Sequence, residues 1–170
     1  MGGTVVGSTK VPQGKTDFSS AMLQAQGSRA QVVGLALAGN DMVNAIKGAQ
    51  EFGLPQAGQK IAGMVLFLTD VKSAGLDATE GTLVTTAYYW DQNEATHTFA
   101  KRFEAQMGRP PTMIQAGDYP AVKAAGTVDG PAVPARIRPI PVEDFMTHGA
   151  PIRPDGRVVR DMCLAQRIPR

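Results

Sequence analysis

Apolar and polar positions change period several times along this chain. Four short runs rich in β-branched and aliphatic residues, at 4–7, 31–37, 60–68 and 81–87, have the composition of strands. Two contain nearly unbroken apolar stretches, Val32-Val33-Gly34-Leu35-Ala36-Leu37 and Met64-Val65-Leu66-Phe67-Leu68. A strand with one wet face would alternate, so both faces are expected to be buried, as in a parallel sheet, with Phe67 in the core.

Helical periodicities lie between these runs. Asp17 is placed to cap a helix through Phe18, Met22 and Leu23. Asn40 or Asp41 is placed to cap another bearing Val43, Ile46, Ala49 and Phe52, which Gly53 and Pro55 then stop. Strand and helix therefore alternate through residues 1–90. This predicts an α/β class, a doubly wound, mainly parallel sheet with flanking helices and right-handed crossovers.

Beyond Trp90 the alternation ends. Asn93 opens a helix carrying Phe99, Ala100, Phe103 and Met107, which Gly108-Arg109-Pro110-Pro111 terminates, and Thr112 caps an apolar segment through Val122. Pro131, Pro134, Pro139 and Pro141 argue against regular helix over most of 123–141, where poor order is expected. Asp155-Gly156 between extended residues predicts a turn within 152–158, followed by a returning strand over 158–166. The α/β region thus has a helical and hairpin C-terminal extension.

Composition narrows the function classes. The 170 residues suit a globular fold, with 43% hydrophobic and 19% charged residues, and the net charge of +2 is too small to mark a nucleic-acid binder. Seven arginines and four acids fall in 131–170, but apart from Phe145 no aromatics are interleaved with them to stack bases, so a solvated face is expected. The single cysteine, Cys163, lies in the apolar run Met162-Cys163-Leu164 and reads as a small buried hydrophobe. No stretch approaches the roughly 18 apolar residues of a membrane span, and the N-terminus lacks a secretory pattern, which implies a cytoplasmic chain or a removed beginning.

Catalytic signatures are missing. There is no G-x-S-x-G elbow, no phosphate-binding loop ending in Gly-Lys-Ser/Thr, and Gly3-Thr-Val-Val-Gly7 has the wrong spacing for a dinucleotide turn. His97 and His148 stand apart from other metal-ligating types, and a surface place is expected for each. No catalytic residue, cofactor or metal is therefore expected. The chemistry instead collects after the strands, where open α/β sheets bind ligands. These positions are Ser8, Thr9 and Lys10; Asn40 and Asp41; Thr69 and Asp70; and Tyr88, Tyr89, Trp90 and Asp91. A carboxylate such as Asp70 after an apolar strand can pair with an ammonium or amide N–H, while helix N-termini accept a carboxylate. Each position also has a structural alternative: Asp41 and Asp70 as helix caps, Tyr88 and Tyr89 as core.

Several segments are similar to a known family. Gly3-Thr-Val-Val-Gly-Ser8, residues 16–26, Ala38-Gly-Asn-Asp-Met-Val-Asn-Ala-Ile-Lys47, Glu51-Phe-Gly-Leu54, Glu80-Gly-Thr-Leu-Val-Thr85, Tyr89-Trp90-Asp91, Gly108-Arg-Pro-Pro-Thr-Met113 and Ala116-Gly-Asp-Tyr119 resemble the branched-chain amino-acid-binding family of type I periplasmic binding proteins. Asp155-Gly-Arg-Val-Val-Arg-Asp-Met162 resembles that family's closing hairpin. The resemblance implies two α/β lobes joined by hinge crossings, with a solute caught between them. Residues 1–90 would be one ligand-binding lobe, 91–157 a crossing segment of the other, mostly missing first lobe, and 158–170 a returning strand and tail.

The resemblance further implies a non-enzymatic, periplasmic substrate-binding component of an ABC importer. Its partners would be an amino acid or small amide, a membrane permease and the missing first lobe, with no nucleic acid. Ala38, Gly39, Asn40, Asp41, Thr69 and Asp70 would contact the ligand, and Tyr88, Tyr89 and Trp90 would lie at the cleft or hinge. The alternative on the same fold is a cytoplasmic amino-acid- or amide-sensing regulatory domain.

Overall fold

The computed structural model describes residues 2–126 and 130–166, with the backbone alone for Ala124. The chain divides into two compact units, Met1–Thr85 with Leu164–Arg170, and Thr86–Cys163.

In the first unit, the elements in order are α1 (Ser19–Ser28), β1 (Val32–Leu35), α2 (Gly39–Glu51), β2 (Lys60–Gly63), α3 (Leu68–Ala74) and β3 (Leu83–Thr86). β4 (Cys163–Gln166) returns to the sheet, whose order is β1-β2-β3-β4. β1 and β2 run parallel with Leu35 opposite Gly63, and β2 and β3 run parallel with Ala62 opposite Leu83. The core forms because α2 places Met42, Ala45, Ile46 and Ala49 at helical spacing on one stripe, all essentially inaccessible. That stripe packs with Leu35, Ile61, Leu66 and Val84 and with Phe18 and Met22 of α1. Buried Gln59 ties α1 to the start of β2, its amide donating to the carbonyls of Ala25 and Ala30 at 3.0 Å each.

The fold class is the expected α/β one, and several local expectations are corrected. Residues 4–7 form no strand: Val5 and Val6 are 87% and 61% exposed, because an extended segment with no hydrogen-bonded neighbour has no ladder to join. Asp17 stands one residue ahead of the cap, where its Oδ1 accepts from Ser19 N at 2.8 Å and Ser19 Oγ at 2.5 Å, and Phe18 is the N-cap. Ala38, rather than Asn40 or Asp41, is the N-cap of α2.

β2 stops at Gly63 instead of continuing to residue 68. The chain folds back there so closely that a Cβ on Gly63 would lie 2.6 Å from Leu66 Cβ, a contact only glycine permits. Leu66 therefore takes the core position, and Phe67 becomes the half-buried N-cap of α3. Gly63→Ala is expected to cost about 1 to 3 kcal/mol through this overpacking, read as a lowered denaturation midpoint at unchanged slope.

Burial of both sheet faces also fails. Val32 and Met64 are 52% and 64% exposed, since the β1–α2–β2–α3–β3 crossovers step in one direction and α2 packs with α3 on one side.

The second unit contains α4 (Glu94–Met107), α5 (Met113–Ala125) and α6 (Ala132–Ile137). Asn93 caps α4 reciprocally: its side chain accepts from Thr96 N at 2.9 Å, and Thr96 Oγ1 accepts from Asn93 N at 3.0 Å. Gly108 ends α4 at a φ of 68°, and Thr112 caps α5. α5 continues past Val122 despite Pro120, whose missing N–H removes one ladder bond. The proline-rich stretch carries a helix after all, because Pro134 falls in the first turn of α6, where N–H groups have no intrahelical partner. The part of that expectation at residues 127–129 lies outside the described residues.

The predicted turn is present. Ile152 bridges Val158 antiparallel, Arg153 N donates to Arg157 O at 2.8 Å, and Gly156 adopts a φ of 85°. The returning strand is confined to β4. Cys163 is only partly buried between Met162 and Leu164, 55% and 70% exposed, so this run is not core.

Candidate functional site

Parallel pairing brings the carboxyl ends of β1 and β2 together at Leu35 and Gly63, and Met64 N extends the contact by donating to Leu35 O at 3.0 Å. The chain then enters α2 from one strand and α3 from the other. The two helix N-termini consequently follow neighbouring strands at one sheet edge, where α/β folds present backbone N–H groups to ligands. Of the expected site residues, Ala38, Gly39, Asn40 and Asp41 form the cap and first turn of α2, and Thr69 and Asp70 lie in the first turn of α3.

The two N-termini differ. Ala38 is extended, and no side chain caps α2; Gly39 has a φ of 56°, and Ala38, Gly39 and Asn40 are exposed. Half-buried Asp41 turns its Oδ2 to Gly14 N at 2.9 Å, pinning the preceding loop rather than its own helix. The start of α2 thus offers first-turn amides and the positive end of the helix dipole without a side chain bonded to them. At α3, Asp70 Oδ2 accepts from Phe67 N at 3.0 Å, so this carboxylate holds the helix start in place. Thr69 is half-buried, its carbonyl accepting from Ser73 Oγ at 2.9 Å. Sequence reasoning missed the tie between Gly14 and Asp41. The turn residues Pro12-Gln-Gly14 were its only signal.

Tyr88, Tyr89 and Trp90 belong to the second unit. Tyr88 is 1% exposed, donates from its hydroxyl to Thr96 O at 3.2 Å and meets Phe99 and Phe145 edge-on at 6.2 and 6.0 Å. It is a core residue of that unit. Tyr89, 38% exposed, lies against half-buried Trp90, which in turn meets the His97 ring at 5.7 Å. Burial pushes the Tyr88 phenol pKa up to about 12. The raised value means the stability contributed by neutral Tyr88 is complete below about pH 10 and is lost as pH rises through about 12. An alkaline unfolding step accompanied by phenolate absorbance is expected there, and Tyr88→Phe should remove that absorbance component.

Elsewhere the polar groups make local ties. Glu143 accepts from Gly149 N at 2.7 Å and pairs with His148 Nδ1 at 2.7 Å, hydrogen bonds that hold its carboxyl below the usual range. Among the described residues, no three His, Cys, Asp or Glu side chains gather to hold a metal, and no helix is long and apolar enough to cross a membrane.

A family model described as periplasmic binding protein matches residues 1–168. A periplasmic binding protein from Burkholderia mallei is 41% identical over 97% of this chain and 45% of its own, with a TM-score of 0.83. A branched chain amino acid ABC transporter periplasmic ligand-binding protein from Burkholderia xenovorans is 44% identical over 95% of this chain and 45% of its own, with a TM-score of 0.75. An ABC transporter solute binding protein from R. palustris, solved with 4-hydroxybenzoate, shares the fold at 22% identity, covering 97% of this chain and 48% of its own with a TM-score of 0.76. No curated protein matches the sequence. The chain spans less than half the length of these relatives. With the family model matched almost end to end and two relatives above 40% identity, the chain belongs to the periplasmic binding protein family.

Proposed function

We propose that this chain supplies one ligand-binding lobe of an ABC-importer substrate-binding protein, which takes up an amino acid or small amide in the periplasm and delivers it to a membrane permease. The observation that carries the reading is the pair of helix N-termini after β1 and β2, one of them without a side-chain cap. A zwitterion has complementary ends. Its carboxylate would accept from the first-turn amides of α2, next to the small residues Ala38 and Gly39, which leave the backbone approachable. Its ammonium, or an amide N–H, would donate to Asp70, whose second oxygen is available while the first holds Phe67 N.

The family relation supports a binder rather than an enzyme, as both Burkholderia relatives carry binding-protein descriptions. On this reading residues 1–90 would form the ligand-binding lobe, 91–157 would cross into the other lobe and 158–170 would return. Tyr89 and Trp90 would stand at the crossing.

Asp70→Asn tests the reading. It should weaken binding of the amino acid that binds best in a calorimetric panel by about 1 to 3 kcal/mol, the range for a charge-assisted hydrogen bond. The asparagine keeps an oxygen for Phe67 N, so α3 should survive. Unchanged affinity would remove Asp70 from the site.

A further inference from the structure

Both helices at the candidate site carry an aspartate three residues past the N-cap, Asp41 after Ala38 and Asp70 after Phe67. The two N-caps share an extended backbone, with φ −142° and ψ 157° at Ala38 and φ −101° and ψ 158° at Phe67. At α3 the aspartate does what that position favours and accepts from the N-cap N–H at 3.0 Å. At α2 it does not. Asp41 Oδ2 accepts instead from Gly14 N at 2.9 Å, 27 residues upstream, and the Ala38 N–H is left without it. Gly14 reaches that place from a turn in which its φ is 79°. The segment before it is fastened twice more, by Thr9 Oγ1 donating to Gln24 Oε1 of α1 and by Val11 packing, partly buried, on the core of the first unit.

We infer that Asp41 is a positioning residue of the candidate site: the tie to Gly14 keeps its carboxylate off the start of its own helix, so the first-turn amides of α2 stay open to an anionic solute group. When segment 9–14 lets go, Asp41 turns to Ala38 N as Asp70 does to Phe67 N. That fills one donor and places a negative charge where a solute carboxylate would accept. The segment therefore controls whether α2 presents an open, positive N-terminus or a self-capped one, and a carboxylate bound there holds the segment down in return. The role in binding rests on the solute reading proposed above; the choice between the two partners of Asp41 does not.

Solvent-exchange NMR of the labelled full chain, with no solute present, tests that choice, so its failure is separate from a failure to bind solute. Asp41→Ala should speed exchange of the Gly14 amide about fivefold, the worth of one ordinary hydrogen bond. The pair Thr9→Val and Val11→Ser loosens the segment without touching α2, and should slow exchange of the Ala38 amide about fivefold as Asp41 moves onto it. Adding Asp41→Ala to that pair should return Ala38 to its original rate, a rescue that a purely structural loop tie would not produce. A Gly14 amide indifferent to Asp41→Ala, an Ala38 rate unchanged by loosening the segment, or a slowing that persists once Asp41→Ala is added would each overturn the inference.

Discussion

Phe99→Ala is expected to cost the second unit about 3 to 5 kcal/mol. Phe99 is 8% exposed and stacks on Phe145 at 4.4 Å, with Tyr88 edge-on at 6.2 Å and Tyr119 at 5.2 Å. Truncation removes the ring around which the three others are arranged, and the surrounding helices close such a gap only in part. The loss should be largest because this cluster has few buried members, Tyr88, Phe99 and Ala116, supported by partly buried neighbours. Trp90 is one of those neighbours, so its fluorescence during urea unfolding reads this unit directly. A loss below about 1 kcal/mol would mean that the aromatic cluster does not hold the unit together.

Ile46→Ala should cost the first unit about 2 to 5 kcal/mol. Ile46 is 1% exposed in the middle of the α2 stripe, between Met42 and Ala49, and it packs in the cluster containing Leu35, Ile61 and Leu66. The cavity would open where helix meets sheet, under the strands that position the candidate site. Hydrogen exchange of α2 amides provides the readout, since the single tryptophan lies in the other unit. The nearby exposed substitution Lys47→Ala should change exchange little, so a similar effect at both positions would contradict the assigned stripe.

Much of this architecture was legible because period and caps agreed. Val43, Ile46, Ala49 and Phe52 announced α2, and Asn93 and Thr112 announced α4 and α5 through side chains that do cap them. What escaped depended on contacts the sequence does not display. The apolar run Met64-Val-Leu-Phe-Leu68 looks like strand, yet close approach at Gly63 turns it into a bend and a helix start. Val5 and Val6 have strand chemistry without a strand beside them. Pro134 argued against helix until its place in the first turn was known.

The candidate site was legible at the level of strand ends, because parallel sheets present their loops there. The roles within it were less so. Asp41 and Asp70 each accept a backbone hydrogen bond, one from distant Gly14 N and one from nearby Phe67 N, and only geometry separates a loop tie from a helix cap. Tyr88 had two readings from sequence, and the cluster formed by Phe99 and Phe145 places it in the core.

The most direct test of the central claim is a two-dimensional amide NMR titration of the isotopically labelled chain with a panel of amino acids and short amides. Binding at the paired helix N-termini predicts concentration-dependent shifts confined to the amides of 39–42 and 67–70, and attenuated by Asp70→Asn. Shifts centred on other residues, or none for any amino acid or amide in the panel, would contradict it.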